Sequence, residues 1–440
     1  MGKKVLIKTI TIFGANGHMG TNVAALFASF GHCKVFMISR QKESAVQACS
    51  KCVSLVRSDS IFPNLVPSSY DQAEECIRQS DLIYESTSEN LDVKKQVFLT
   101  IAKYVSDKQI IATGTSGLSI DLLSSFLPEK IQPNLVGIHF FNPTYGMPLC
   151  ELIPSQKTDK DLLPFLFDYL SKTLFRSVVL CKNKPGFLAN RIGFMVINSA
   201  LAEAEKYKDL GGIAYIDSLM GCFTGKNMRP IQTADYVGLD VTTAIVDNIF
   251  ANSADDFMKE HFIVPYYVRS LIENHCLGDK SGGGFYKTMG NESGVPQSFV
   301  YDIATNDYVP SSLYCSPFLQ KLLDYLEVGK NGLYKEALLS NGEQEGFLIR
   351  KYIAEYFSYS LFAAKEVTGN INSADEAMQY GFSWMPPLAY LDLFGGKEAM
   401  AKMISETFVN EKEKQVALSL LREAPDSSKY PFAKFLKARI

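Results

Sequence analysis

The first 180 residues alternate short apolar runs with longer patterns of helical spacing. Runs rich in β-branched and aromatic residues predict strands at residues 9–13, 34–38, 81–85, 109–113, 134–138 and 177–180. Apolar residues three to four positions apart predict helices at residues 23–28, 93–104 and 161–174. Strands that alternate with helices favour a doubly wound α/β domain with a mostly parallel sheet.

A glycine-rich turn joins the first predicted strand to the first helix. Its spacing is G-x-x-G-x-x-G, one residue longer than the usual dinucleotide-binding fingerprint. Glycines allow a tight turn and a close approach to a pyrophosphate, whose charge is stabilised at a helix N-terminus. The alternative is a plain loop, but the flanking strand and helix favour a dinucleotide site. The candidate cofactor residues of this turn are Gly14, Asn16, Gly17, His18, Met19 and Gly20.

The end of the second predicted strand bears on the choice of nucleotide. An acidic residue there would accept hydrogen bonds from the 2′-hydroxyl of NAD, but this chain has Ser39 and Arg40. A hydroxyl and a cation suit a 2′-phosphate, which predicts a preference for NADP(H) over NAD(H). The alternative is that Arg40 stacks on the adenine of NAD.

His139 and Glu151 are the candidate proton-transfer pair. An imidazole titrates near neutral pH, and a carboxylate on its other nitrogen would fix the tautomer and stabilise the imidazolium. Glu85, Thr113 and His139 are all predicted to follow strand ends, which meet at one edge of a parallel sheet. This convergence favours catalysis over the alternative of a structural histidine.

After residue 183 the pattern becomes helical. A fragment of this second region recurs: Gly186-Phe187-Leu188 returns as Gly346-Phe347-Leu348, and Asp235 with Gly238 returns as Asp392 with Gly395. The offsets, 346 − 186 = 160 and 392 − 235 = 157, predict a duplicated helical domain. Arg350 stands at the position of Asn190, so the second copy is predicted to be structural. The predicted divisions are residues 1–183, 184–288, a linker at 289–340, and 341–440.

Composition narrows the class of protein. The chain has 440 residues, 47% hydrophobic, with a formal charge of −3, as expected of a globular protein and not of a nucleic-acid-binding one. Residues 1–10 are too short for a signal peptide, and no apolar run reaches membrane-spanning length, so a cytoplasmic location is expected. Of nine cysteines, Cys49 and Cys52 lack the further ligands of a zinc site, and no metal is predicted.

In combination, these motifs resemble the 3-hydroxyacyl-CoA dehydrogenase family over almost all of residues 7–287. The motifs are specific as a set: the glycine turn, E-S-T-S-E-N at 85–90, T-G-T-S-G-L at 113–118, H-F-F-N-P at 139–143, Glu151, K-P-G-F-L-A-N-R at 184–191 and G-D-K-S-G-G-G-F-Y at 278–286. The resemblance implies a Rossmann-type domain followed by a helical domain like that of 6-phosphogluconate dehydrogenase.

The resemblance also assigns roles to residues. His139 would be the general base that takes the 3-hydroxyl proton, and Glu151 would hold its imidazole. Ser116 and Asn190 would exchange hydrogen bonds with the substrate oxygen. From the residues alone, Ser116 could instead cap a helix that begins at residue 119, and Asn190 could pack at a domain junction. Further cofactor contacts would come from Glu85 and Lys94.

The implied reaction is oxidation of (S)-3-hydroxyacyl-CoA to 3-ketoacyl-CoA with hydride transfer to NAD(P). One alternative is a dehydrogenase of free 3-hydroxy acids with Lys184 as the proton acceptor, and another is a non-catalytic nucleotide-binding protein. Residues 44–69, where the family has a basic helical excursion that contacts CoA, are short and serine-rich here. The acyl carrier could therefore differ, or CoA could be held loosely.

The predicted duplication bears on assembly. The resemblance implies that single-copy members of the family form dimers through the helical domain. A tethered second copy therefore predicts a monomeric pseudo-dimer. The apolar face around Tyr356, Tyr359, Leu361 and Ala364 would then be buried within one chain. The two-copy arrangement resembles the dehydrogenase half of enzymes fused to an enoyl-CoA hydratase, so a hydration step is expected to belong to another polypeptide.

Overall fold

The computed structural model describes residues 6–290, 296–311 and 314–438. The chain divides into two compact units, residues 1–187 and 188–440. The border lies four residues after the predicted one at 183/184. Parts of three predictions lie outside the described residues: the start of the N-terminal segment at 1–5, residues 291–295 and 312–313 of the linker, and residues 439–440 of the last division.

The first unit is built on an eight-stranded sheet with strand order β3-β2-β1-β4-β5-β6-β7-β8. Strands β1 to β6 are parallel, β7 is antiparallel to β6, and β8 is parallel to β7. The strands are β1 Thr9–Phe13, β2 Lys34–Ser39, β3 Leu65–Ser69, β4 Leu82–Glu85, β5 Ile110–Thr113, β6 Leu135–Phe140, β7 Leu149–Pro154 and β8 Ser177–Leu180.

Helices connect these strands. The order reverses direction between β1 and β4, so the crossovers before and after that point cover opposite faces of the sheet, and a crevice opens where it reverses. The helices are α1 His18–Ser29, α2 Lys42–Val56, α3 Ala73–Gln79, α4 Leu91–Tyr104, α5 Ile120–Ser124 and α6 Leu162–Asp168.

The sheet confirms the six predicted strands and adds β3 and β7. The sequence T-I-T-I-F of β1 is buried at four of its five positions, as expected of a parallel strand that is covered on both faces. Strand β3 was missed because L-V-P-S-S contains a proline and two serines, and β7 because a glutamate interrupts its apolar run. The segment 44–69 holds most of α2, a 3₁₀ helix at Asp59–Asn64 and β3.

The second unit is mainly helical. Its helices are α7 Ala189–Lys206, α8 Gly212–Met220, α9 Pro230–Val237, α10 Leu239–Asn252, α11 Tyr266–Glu273, α12 Pro317–Glu327, α13 Asn331–Ser340, α14 Gln344–Thr368, α15 Ser373–Gly381, α16 Ala389–Phe394, α17 Lys397–Thr407 and α18 Glu411–Glu423. The long helix α14 is buried around most of its circumference, and Tyr356, Tyr359, Leu361 and Ala364 are fully buried, as predicted.

The predicted linker at 289–340 is folded in its described parts. Strands β9 Tyr286–Gly290, β10 Pro296–Asp302 and β11 Asp307–Pro310 form an antiparallel sheet. Helices α12 and α13 follow. The linker prediction overlooked that α12 buries Leu319, Leu322, Leu323 and Leu326, an amphipathic helical spacing.

No helix among the described residues combines the length and apolar content that crossing a bilayer requires. All nine cysteines are free thiols, and seven of them are buried.

Candidate active site

The glycine turn lies at the carboxyl end of β1. Gly14 has a φ of +76°, which permits the backbone N–H groups of Gly14 and Ala15 to donate to the carbonyl of Ile38 at 3.1 and 3.2 Å. Gly17 is the N-cap of α1 and carries no side chain that could accept from the first amides of the helix. These amides can therefore donate to an anion.

The remaining residues of the turn differ in exposure. A Cβ on Gly20 would lie against the carbonyl oxygen of Gly14, so glycine is required there for close packing of turn and helix. Asn16 and His18 are exposed, and Met19 packs partly against the core. His18 Nε2 lies 2.7 Å from Asn142 Oδ1, which links the turn to the loop after β6.

Ser39 and Arg40 lie at the carboxyl end of β2. The Ser39 side chain is buried, and its hydroxyl donates to the carbonyl of Gln41. Arg40 is exposed. Among the described residues, none forms an ion pair with Arg40, so its guanidinium is available to an anionic ligand.

Glu85 and Lys94 form a buried ion pair at the end of β4. Lys94 Nζ lies 2.9 and 3.0 Å from the two carboxylate oxygens of Glu85. Glu85 also accepts hydrogen bonds from Thr87 and Thr113. Both charges are thus engaged within the protein, so their predicted contact with the cofactor stays a prediction.

Glu89 is the residue that sequence reasoning passed over. Its Oε1 accepts from the backbone N–H groups of Ser116 and Gly117, both at 2.9 Å, and from the hydroxyl of Thr115. Burial raises the pKa of Glu89, but nearby Lys94 and these hydrogen bonds outweigh it and hold the pKa below its usual range. The sequence showed Glu89 only as a member of the motif E-S-T-S-E-N. Its role was not predictable, because its partners follow the neighbouring strand and are brought close only by the fold.

His139, Glu151 and Ser116 come together at the end of β6. His139 and Glu151 are directly opposed in the antiparallel register of β6 and β7, so their spacing of twelve residues is that of a hairpin pair. His139 Nδ1 lies 2.8 Å from Glu151 Oε2, and His139 Nε2 lies 3.1 Å from Ser116 Oγ. His139 was predicted to follow the strand end, but it is the penultimate residue of β6, where the pairing with β7 holds it.

Two alternative roles can now be judged. The N-cap of α5 is Ser119, which accepts from the N–H of Leu122, so the idea that Ser116 caps this helix is wrong. Asn190 lies in the first turn of α7 in the second unit and is buried there. Its predicted role toward the substrate stays a prediction.

The imidazole can act as a base at Nε2. An ionised carboxylate only accepts hydrogen bonds, so Nδ1 carries the hydrogen that faces Glu151 and the neutral ring presents a lone pair at Nε2. His139 and Glu151 are buried, and the rings of Phe141 and Phe187 lie 4.6 and 5.7 Å from the imidazole. Low polarity around the pair strengthens the attraction between imidazolium and carboxylate.

Comparison with known proteins adds an independent finding. Residues 9–184 match the family described as "3-hydroxyacyl-CoA dehydrogenase, NAD binding domain", and residues 186–288 match "3-hydroxyacyl-CoA dehydrogenase, C-terminal domain". The mitochondrial hydroxyacyl-coenzyme A dehydrogenase of Sus scrofa is 31% identical over 301 residues, 65% of this chain and 92% of that protein.

A probable 3-hydroxyacyl-CoA dehydrogenase of Bacillus subtilis is 29% identical over 343 residues, which are 77% of this chain and 42% of that protein. The chain spans about half the length of the first curated relatives it matches. The crystal structure of 3-hydroxybutyryl-CoA dehydrogenase from Escherichia coli is similar in fold, with a TM-score of 0.68 and 20% identity. That similarity covers 95% of this chain and 98% of the other.

Proposed function

Because this chain belongs to the 3-hydroxyacyl-CoA dehydrogenase family, we propose that it reversibly oxidises (S)-3-hydroxyacyl-CoA to 3-ketoacyl-CoA. The observation that carries the proposal is the chain of contacts from Glu151 through His139 to Ser116. The cofactor is a nicotinamide dinucleotide, for which the glycine turn and the free amides of α1 are suited.

The residues of this site would act as follows. The substrate 3-hydroxyl donates its hydrogen bond to His139 Nε2, and the proton moves to that nitrogen as the C3 hydride leaves. Glu151 stabilises the resulting imidazolium through Nδ1. Ser116 Oγ, 3.1 Å from Nε2, can donate to the same oxygen as it becomes a carbonyl. The nicotinamide supplies the hydride acceptor.

The test is the change of nicotinamide absorbance when acetoacetyl-CoA is mixed with NADH or NADPH. We expect oxidation by the wild type and a loss of about 10²-fold or more in His139→Ala, as for removal of a general base. Lys184→Ala is the matched variant for the free-acid alternative, since Lys184 is exposed. Loss of activity in Lys184→Ala but not in His139→Ala would reverse the assignment.

We further propose that the enzyme prefers NADP(H), because Ser39 and the exposed Arg40 stand where an acidic residue would read NAD. NADPH would favour reduction of the 3-ketoacyl substrate. Titration of each cofactor tests this. Wild type should bind NADPH more tightly than NADH. Arg40→Ala should weaken the binding of NADPH about tenfold and leave the affinity for NADH unchanged. Lys51→Ala, an exposed cation on α2, controls for general charge. Tighter binding of NADH would end the proposal.

The duplicated helical domain is also a proposal, and paired aspartates support it. Asp217 on α8 accepts from the N–H of Ile231 in α9 at 2.8 Å, and Asp375 on α15 accepts from the N–H of Leu388 before α16 at 2.8 Å. The offsets, 375 − 217 = 158 and 388 − 231 = 157, agree with those of the repeated motifs.

The end of each copy repeats the arrangement. Asp235 and Asp217 both accept from Tyr286, through its N–H at 2.7 Å and its hydroxyl at 2.8 Å. Asp392 and Asp375 both accept from Ser428, through its N–H at 3.0 Å and its hydroxyl at 2.6 Å. The donors themselves are 428 − 286 = 142 residues apart, but the aspartates keep the offsets 392 − 235 = 157 and 375 − 217 = 158. Equal roles of these aspartates at nearly equal spacing favour duplication over chance similarity of two short motifs.

One contact supports a local pseudo-two-fold relation between the proposed copies. Lys226 forms an antiparallel bridge with Trp384, and 384 − 226 = 158, so a residue pairs with its own counterpart. Such self-pairing is the mark of an isologous contact. We therefore propose that the second copy takes the place of a dimer partner within the chain.

A further inference from the structure

Helix α7 is held at its first turn by a buried charged cluster. Arg191 donates from one terminal nitrogen to Asp256 Oδ2 at 2.8 Å and from Nε to the Tyr359 hydroxyl at 3.2 Å. The Tyr359 hydroxyl donates to the same oxygen of Asp256 at 2.7 Å. The three side chains thus close a triangle in which each contacts the other two.

The triangle joins three separate pieces of the second unit. Arg191 belongs to α7, Asp256 lies between α10 and α11, and Tyr359 lies on α14, in the region proposed as the second copy. The other carboxylate oxygen of Asp256 accepts from the N–H of Met258 at 3.0 Å, which fixes that carboxylate. Arg191 is 4% exposed and Tyr359 is fully buried, so water cannot replace a lost contact easily.

Aromatic rings enclose the cluster. The rings of Phe257 and Phe262 lie 6.1 and 5.8 Å from that of Tyr359, and the Arg191 guanidinium lies 5.7 Å from the ring of Phe362. Packing on all sides restricts the side chains to one arrangement. The residue next to Arg191 along α7 is Asn190, so a clamp on Arg191 also sets the position of the Asn190 backbone.

We propose that Tyr359 is a positioning residue for catalysis: through Arg191 and Asp256 it holds the first turn of α7 and thereby orients Asn190. This inference rests on the proposed function and on the role that the family resemblance predicts for Asn190, a hydrogen bond to the substrate oxygen. It gives the second copy a part in the reaction beyond burying an apolar face. A displacement of a catalytic group by about 1 Å can cost on the order of 10²-fold in rate.

The test compares Tyr359→Phe with Tyr356→Phe. Both tyrosines lie on α14, both are fully buried, and the Tyr356 hydroxyl donates to the carbonyl of Met385 at 2.8 Å. Tyr359→Phe loses the two buried hydrogen bonds of its hydroxyl and Tyr356→Phe loses one, but only Tyr359→Phe loosens the clamp. We expect kcat with acetoacetyl-CoA to fall about tenfold in Tyr359→Phe, with the cofactor KM within about twofold. Tyr356→Phe should keep kcat within about twofold.

A double-mutant cycle separates positioning from general destabilisation. In an Asn190→Ala background, Tyr359→Phe should lower kcat no further, because its effect passes through Asn190. An undiminished further fall in that background, or equal losses in the two tyrosine variants, would overturn the inference.

Amide hydrogen exchange tests the clamp on α7 without a measurement of enzyme turnover. Amides of residues 189–193 should exchange faster in Tyr359→Phe than in wild type or Tyr356→Phe. If the wild type shows no turnover, the proposed function fails, and this exchange measurement still decides whether Tyr359 holds the Asn190 turn. Unchanged exchange in Tyr359→Phe would overturn the clamp itself.

Discussion

At the scale of single residues, the roles at the candidate site follow from contacts that the chain makes across strands. Glu151 is the clearest case, because its partner is fixed by register and not by a flexible loop. A carboxylate bonded to imidazole Nδ1 acts in two ways: it orients the ring and stabilises the positive charge that proton transfer creates. A substitution that keeps the shape and removes the charge tests whether these effects contribute to the reaction.

Glu151→Gln is that substitution. We expect kcat to fall by about 10²-fold or more, because the amide can present the wrong hydrogen-bonding group to Nδ1 and cannot stabilise the imidazolium. Steady-state kinetics with acetoacetyl-CoA measure the effect. Nucleotide affinity should stay within about twofold, since the glycine turn is built from other elements. A kcat within about twofold of wild type would show that the carboxylate has no part in proton transfer.

Lys226 offers a residue-scale prediction about stability. Its ammonium donates to Thr224 Oγ1 at 2.9 Å and lies 4.7 and 5.3 Å from the rings of Tyr356 and Trp384. Burial lowers the pKa of Lys226 to about 7 from its usual 10.5. Between these values the folded state binds fewer protons than the unfolded state. Stability therefore rises with pH across this window, and is lost as pH falls toward 7.

Lys226→Met should remove that dependence. The free energy of unfolding of the variant minus that of wild type should be larger near pH 7 than near pH 10, by on the order of 3 kcal/mol. Urea unfolding at the two pH values measures the difference, and Lys208→Met, at an exposed lysine, serves as the control. Burial raises the pKa of Asp235 to about 7, but this carboxyl group is present in both proteins, so its pH dependence cancels in the comparison of variant with wild type. The prediction would be contradicted if the unfolding free energies of Lys226→Met and wild type differed by the same amount at both pH values.

At the scale of elements, strands with continuous apolar runs were predictable from the sequence, and those that depend on tertiary context were not. β1 and β8 were predicted at their observed bounds. β7 was missed although it carries Glu151, because an isolated glutamate within a short run does not match a strand period. The pairing of His139 with Glu151 was predicted from chemistry, whereas its structural cause, the β6–β7 register, becomes clear only from the fold.

The glycine turn gives an element-scale prediction, because two of its glycines serve different purposes. Gly20 is required by packing, as a Cβ there would also lie 2.9 Å from Ala15 Cα. Gly17 has a φ of −68°, and an added Cβ would come no closer than 3.2 Å to the Gly14 carbonyl oxygen. We therefore predict that Gly17 is required more by the approach of the pyrophosphate than by the fold.

Gly20→Ala should lower the free energy of unfolding by about 1–3 kcal/mol, as overpacking does. Gly17→Ala should change it by less than about 1 kcal/mol but weaken dinucleotide binding about tenfold or more. Thermal unfolding and cofactor titration of both variants separate the two effects. If Gly17→Ala bound nucleotide as wild type does, the turn would not approach the pyrophosphate at that residue.

At the scale of the whole molecule, the proposed duplication is hard to recognise from sequence because the two regions share few identities. Two short motifs and their offsets were the available signals, and in the proposed repeat the other matching positions hold residues of different type. Lys226 and Trp384 illustrate this: they share no chemistry, yet they would be counterparts, and they contact each other. Helix α12 was likewise assigned to a linker, because no counterpart suggested a folded element there.

The proposed internal pairing predicts that the 440-residue chain is a monomer. A tethered partner has a high effective concentration, so on this proposal the surface that would otherwise pair two chains is covered within one chain. Backbones approach closely there: a Cβ on Gly193 of α7 would overlap the ring of Phe382, which follows α15. Sedimentation velocity over a wide concentration range should give one species with the mass of one chain.

Gly193→Leu tests whether the close contact between Gly193 and Phe382 contributes to the stability of the proposed internal pairing. It should destabilise the fold by roughly 1–3 kcal/mol through overpacking, while Gly332→Leu, at a site where an added Cβ meets nothing within 4 Å, should have a smaller effect. A tight dimer of the wild type at low concentration would contradict the monomer prediction. It would mean that a second surface pairs two chains, and that the tethered copy does not replace a dimer partner.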